Sequence, residues 1–383
     1  MPKNNTIKTK RKTTTKINKQ IKELERKPEP KKSYKILKTA INNPENLTNH
    51  IPKIIKLTKT TPWIVKHDLT TALTYITQQH PTQMTPHLPK LIETLEQDTT
   101  TRNNTLHILN IISKKQPQKI NEYLPKIQNH TTDNETKLHT TQILAEITEN
   151  HQIKPKHIKN LSLQNKNQQI TKNTTTILKN TSKHNPETIQ KYTNELINQL
   201  NHKDDEIRIN TTQTLKNIAK HNPQKITPYT NQITKKLEDP RWRARANTTS
   251  TLKYIAKHNP QKITPYTNQI TKMLNEESWV IQADAAETLK YIAKHNPQQL
   301  TKHIQKITPQ LENQSISVRK EITKTIKHIT NESPETTKPY TPQIKKLIND
   351  NYNEIQLDAA RILKKLGHTK PIQKLDKIDK KRL

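Results

Sequence analysis

Lysine recurs in this chain at a spacing suited to neutralising a polyanion. Lys179, Lys216, Lys253, Lys290, Lys327 and Lys364 form a column with five steps of 37 residues. Lys183, Lys220, Lys257 and Lys294 follow the first four members by four residues each. A stripe of cations at a fixed repeat can track a phosphate backbone without reading bases. Arg241 and Arg243 flank Trp242, and such interleaving of guanidinium and ring suits stacking on a base or gripping a peptide. The chain carries 67 Lys+Arg against 33 Asp+Glu, a formal charge of +34. That field favours nucleic acid, an anionic surface or an acidic protein.

A second explanation of the charge is compositional. Lys, Asn, Thr, Gln, His and Pro abound, whereas Phe and Cys are absent and Gly occurs once. The abundant residues are encoded mostly by A and C, so a nucleotide skew in the gene would supply lysine without selection for binding. Other chemistry is sparse. Without Cys there is no thiolate nucleophile and no zinc–thiolate site, and one glycine cannot build a phosphate-cradling loop. His184, His221, His258 and His295 repeat in a Lys-His-Asn-Pro motif at helix ends. Repeats stacked ~10 Å apart hold such residues too far apart to share one metal ion. No cofactor is expected. Trp63, Trp242 and Trp279 share one repeat position, which predicts a packing slot, with a stacking platform as the alternative.

These residues are positioned by a repeat. An aliphatic residue recurs at Leu73, Leu109, Leu144, Leu178, Leu215, Leu252, Leu289, Ile326 and Leu363, at intervals of 36, 35 and 34 and then 37 residues. Eight residues earlier stands Val65, Thr101, Thr136, Ile170, Ile207, Ala244, Ile281, Val318 or Ile355. Positions 0, 4, 8 and 11 from there share one face at 100° per residue, so each segment reads as an amphipathic helix. Lysines at positions 9 and 13 then point away from that face, toward solvent. The preceding segment, as in NPQKITPYTNQITKKLED, sets Ile226, Tyr229, Ile233 and Leu237 on one stripe of a partner helix. Units three and four are short and poor in apolar residues.

The stretches DPRWRARANTTSTLKYIA, NEESWVIQADAAETLKYIA, DDEIRINTTQTLKNIA, SVRKEITKTIKHIT and NEIQLDAARILKKLG resemble the HEAT-repeat family. The resemblance implies an all-α, right-handed α-α superhelix of about nine two-helix repeats over residues 33–368. A basic, mostly disordered tail at 1–32, with room for one short helix around Ile17–Arg26, and a basic tail at 369–383 would flank it. It implies that Lys66, Arg102, Lys137, Arg208, Arg245 and Arg319 ladder with acids such as Asp98, Asp133, Asp205 and Asp239. It also implies that the second helices, and hence the lysine columns, line a concave face.

The expectation is a non-enzymatic scaffold whose basic face binds an acidic partner, nucleic acid before acidic protein, with no small-molecule substrate. An ordinary protein-interaction scaffold is the alternative. A third reading follows from the likeness of some HEAT-like folds to DNA base-excision glycosylases, with Trp242 and Asp239 as the residues that would serve. No apolar run approaches the ~18 residues of a membrane span, and the start lacks the apolar core of a secretory signal, so a cytoplasmic protein is expected.

Overall fold

A computed structural model describes residues 3–368, with side chains from residue 14 onward. The chain is all-α: every regular element among the described residues is an α-helix or a 3-10 turn. It divides into two compact units, Met1–Thr181 and Ser182–Leu383.

The second unit is the more regular. Its long helices are Asp205–His221, Trp242–His258, Trp279–His295, Ile316–Glu332 and Asn353–Lys365, each packed on the next. The aliphatic ladder forms the core: Leu215, Leu252, Leu289, Ile326 and Leu363 are all buried. Threonine fills much of the remaining interior, and many of its hydroxyls are accommodated by donating back along the helix. Thr214 donates to the Asn210 carbonyl at 2.7 Å and Thr251 to that of Asn247 at 2.8 Å. That local bond lets a weak helix former occupy a dry position.

The partner segments are not the continuous helices that their apolar stripe suggests. Pro223–Ile226 is followed by the 3-10 turn Thr227–Tyr229, then helix Thr230–Thr234 and a second 3-10 turn, Lys235–Glu238. Pro228 lacks the N–H that would continue the ladder, and its ring crowds the preceding turn. The same break recurs at Thr264–Tyr266. The apolar stripe survives because Ile226, Ile233 and Leu237 remain buried.

In the first unit, helices Pro30–Asn42, Trp63–Gln79, Thr99–Lys115 and Asn134–Asn150 pack in sequence order. Before the next helix, Gln168–Ser182, residues 151–167 hold one 3-10 turn, Pro155–Ile158. The shortened repeat therefore lacks most of its first layer. At the N-terminus the structure departs from the expected tail. Helix Lys3–Arg26 buries Ile17, Ile21 and Leu24, spaced i, i+4 and i+7, against the chain that follows. Residues 369–383, the other expected tail, lie outside the described residues.

Candidate nucleic-acid interface

Two ladders of charge cross the second unit, each joining one repeat to the next. In the first, the residue after the Val position reaches an acid five residues before the next Val position. Arg208 Nε donates to Asp239 Oδ2 at 2.8 Å. Arg245 clasps Glu276 through Nε and Nη2 at 2.9 and 2.8 Å, and Arg319 clasps Asp350 at 2.7 and 3.3 Å. Where glutamine replaces the cation, asparagine replaces the acid: Asn313 Nδ2 donates to Gln282 Oε1 at 3.0 Å. Charge meets charge and amide meets amide.

The second ladder runs through the first lysine column. Lys253 Nζ lies 2.6 Å from Asp284, Lys290 lies 2.5 Å from Glu321, and Lys327 lies 2.5 Å from Asp358. These lysines are half-buried and neutralised, not solvated as their position in the helix predicts. Their acids stand 31 residues ahead, on the neighbouring helix, so a search within the column misses them. Further back in the chain the residue 31 ahead of Lys216 is Asn247, no ion pair engages Lys216 among the described residues, and burial pushes its pKa down against the opposing charge of Asp284. Lys179 is half-buried, while Lys364 is exposed.

The second column behaves differently. Lys183, Lys220, Lys257 and Lys294 are exposed, and among the described residues no ion pair engages them. Arg241 is exposed but bonded to Asp205, and the exposed Arg243 lies over the Trp242 ring at 5.6 Å. The tryptophans do not fill a packing slot. Trp63, Trp242 and Trp279 are 68%, 54% and 63% exposed. Each begins its long helix, where no preceding turn covers the ring. Beside Trp242 a shallow recess of about 650 Å³ is lined by Lys272, Asn275, Glu277 and Ser278.

Asp239 is unsuited to chemistry on a bound substrate. Its side chain is 1% exposed, held by Arg208 through both oxygens and by the Arg241 backbone N–H at 3.0 Å. A more accessible carboxylate lies on the outward face of the Trp279 helix. Glu287 accepts the Tyr291 hydroxyl at 2.8 Å and lies 3.7 and 3.6 Å from Lys253 and Lys290. Burial opposes its ionisation, yet the tyrosine hydroxyl and the two ammonium groups outweigh that cost and hold its pKa below the ordinary value. Tyr291 is correspondingly pushed up, by burial first and then by its bond to Glu287. By contrast Asp284 is held by Ser250 and Lys253, and Asp358 by Lys327 and Arg361.

Trp279, Glu287, Lys290 and Lys294 fall within one ~80° sector of their helix at 100° per residue. At 1.5 Å per residue they run from ring to carboxylate in ~12 Å and from carboxylate to free ammonium in ~10 Å.

A sequence model of the DNA alkylation repair enzyme family matches residues 236–319, which contain the Trp242 and Trp279 helices and the Lys253–Asp284–Glu287–Lys290 cluster. No curated protein matches the chain. An engineered protein of known crystal structure is similar at 18% identity, covering 64% of this chain and 96% of its own, with a TM-score of 0.42. The family match corrects the expectation of a non-enzymatic HEAT scaffold, whether its charge is selected or compositional: the family matched is one of enzymes, and it is not the HEAT family. It also points to nucleic acid as partner, with nothing to support an acidic protein. Among the described residues no helix is long and apolar enough to cross a membrane.

Proposed function

We propose that this chain is a DNA repair enzyme that removes alkylated bases by hydrolysing the N-glycosidic bond, using the outward face of its second unit. The observation carrying this reading is that the stretch matched to the alkylation-repair family contains the Trp279–Glu287–Lys294 stripe. Each part has a chemical task. Lys183, Lys220, Lys257 and Lys294 take successive phosphates, with Arg243 as a further cation, and fix the duplex without reading its sequence. Trp242 and Trp279 offer aromatic faces on which a base can stack. Lys253, Lys290 and Lys327 hold the helices in register and do not contact DNA.

A purine alkylated at N3 or N7 is already cationic, so its departure needs little acid assistance. The difficulty lies on the sugar, where positive charge develops at C1′ as the bond to the base breaks. Glu287 supplies a fixed negative charge to stabilise that cation and an oxygen to orient the attacking water. Its depressed pKa keeps it ionised at neutral pH.

The test is release of free methylated purine from duplex DNA treated with a methylating agent, measured by chromatography. Release is expected from the intact protein. Glu287→Gln should slow it by ~10²–10³-fold, the usual cost of removing one electrostatic stabiliser of a transition state, while DNA affinity holds. No release from methylated duplex refutes the reading. Full activity in Glu287→Gln moves the chemistry to another carboxylate.

A further inference from the structure

The first charge ladder has one place where a cation faces neither an acid nor backbone carbonyls that take its donors. Lys137 follows the Val position Thr136, and five residues before the next Val position, Ile170, stands Asn165. That is the place of Asp239, Glu276 and Asp350 opposite their arginines. A neutral residue occurs there opposite Gln282 as well, but that pair is amide against amide. Arg102 also lacks an acid, facing Thr131, and uses its donors on the Leu95 and Gln97 carbonyls at 2.9 Å each. Among the described residues Lys137 has neither a carboxylate nor such carbonyls.

The mismatch lies at the shortened repeat of the first unit, where a single 3-10 turn replaces the outer layer and leaves a cavity of about 690 Å³. Lys137, Asn165, Lys156 and Thr174 line it, and no acidic residue does. Thr174 is 1% exposed and its hydroxyl has no protein partner. Its repeat equivalents Thr211 and Thr248 are likewise unpartnered; of the three, Thr174 alone lines this cavity, with its hydroxyl oxygen covered. Leu144, Leu161 and Ile170 add an apolar wall. The volume falls within the range of small-molecule sites, and the donors line it without a balancing negative charge.

We propose that this cavity binds a phosphomonoester of nucleotide size, whose phosphate supplies the negative charge that Asn165 does not. Two ammonium groups and an amide match a dianion with three acceptor oxygens better than a carboxylate, which needs only one cation. The apolar wall takes the remainder of the ligand. The site lies within the first unit, and its reading does not rest on the proposed function.

Isothermal titration of the full chain with adenosine monophosphate, without DNA, tests this. The nucleotide should bind, inorganic phosphate should bind more weakly and compete, and adenosine should not bind. Lys137→Gln should weaken the nucleotide by at least about tenfold, the scale of one charge-assisted hydrogen bond. Asn165→Asp should weaken it as much, because the new carboxylate pairs with Lys137, and should raise the thermal midpoint where loss of folding would lower it. Adenosine binding as tightly as its monophosphate, undiminished affinity in Asn165→Asp, or no detectable binding of the nucleotide each overturns the proposal. Phosphate binding as tightly as the nucleotide overturns the assigned ligand size.

Discussion

Replacing Asp239 by Asn separates a structural carboxylate from a catalytic one. Arg208 and Asp239 are 10% and 1% exposed at their side chains, so losing the negative charge leaves a nearly dry guanidinium. Removing one partner of a buried pair costs ~3–5 kcal/mol. Here the lower end applies. Asp205 still accepts from Arg208 at 2.5 Å, and the His202 and Lys203 carbonyls still accept at 2.9 and 3.2 Å. The loss in Asp239→Asn should therefore be ~3 kcal/mol. The protein contains its own control in the Gln282–Asn313 pair. Arg208→Gln combined with Asp239→Asn copies that pair and leaves Asp205 bonded to Arg241. The double variant should lose only ~1 kcal/mol, ~2 kcal/mol less than Asp239→Asn alone. Urea unfolding followed by circular dichroism measures both variants. Base release by folded Asp239→Asn should remain near that of the parent. A double variant no more stable than Asp239→Asn, or a stable Asp239→Asn without activity, would refute the ladder assignment.

The two lysine columns should respond oppositely to charge reversal. Changing Lys220, Lys257 and Lys294 to Glu should weaken DNA and lower the salt slope by ~0.9 for each phosphate no longer neutralised, with the melting temperature unchanged. Lys253→Glu should instead destabilise the fold, because it sets a third carboxylate beside Asp284 and Glu287; equal DNA affinities across the exposed triple would discard the interface. Acid should also soften the first unit. His107 and His139 meet edge-on at 5.5 Å, and burial holds both below the ordinary pKa of 6.5. The unfolded chain therefore takes up protons first as pH falls, so their contribution is complete above pH ~6.5 and lost as pH drops through the folded values. Thermal midpoints should fall between pH 7.5 and 5.5, and His139→Gln should flatten that dependence; an unchanged slope would show that other groups govern it.

The repeat was legible in the sequence because its signal is local. The spacing of Leu73 through Leu363 and the 3.6-residue period demand nothing beyond one helix, and every member of that ladder is buried. The compressed section was legible too, as intervals of 35 and 34 residues. Pro228 announced a helix start, but that it also divides the segment into 3-10 and α turns is seen only in the folded backbone. The charges were misread because their partners are not local. Lys253, Lys290 and Lys327 carry the same helical phase as a solvated lysine, and their fate is set by Asp284, Glu321 and Asp358 across a packed interface. A shared repeat position says that Trp63, Trp242 and Trp279 have one environment; whether it is dry or wet depends on whether a neighbouring turn covers the helix start, and none does. Periodicity thus determined which residues face the core. Tertiary packing decided which cations remain free to meet phosphate, and where one stands without its acid, because a pair can be neutralised only by what the fold brings within ~4 Å.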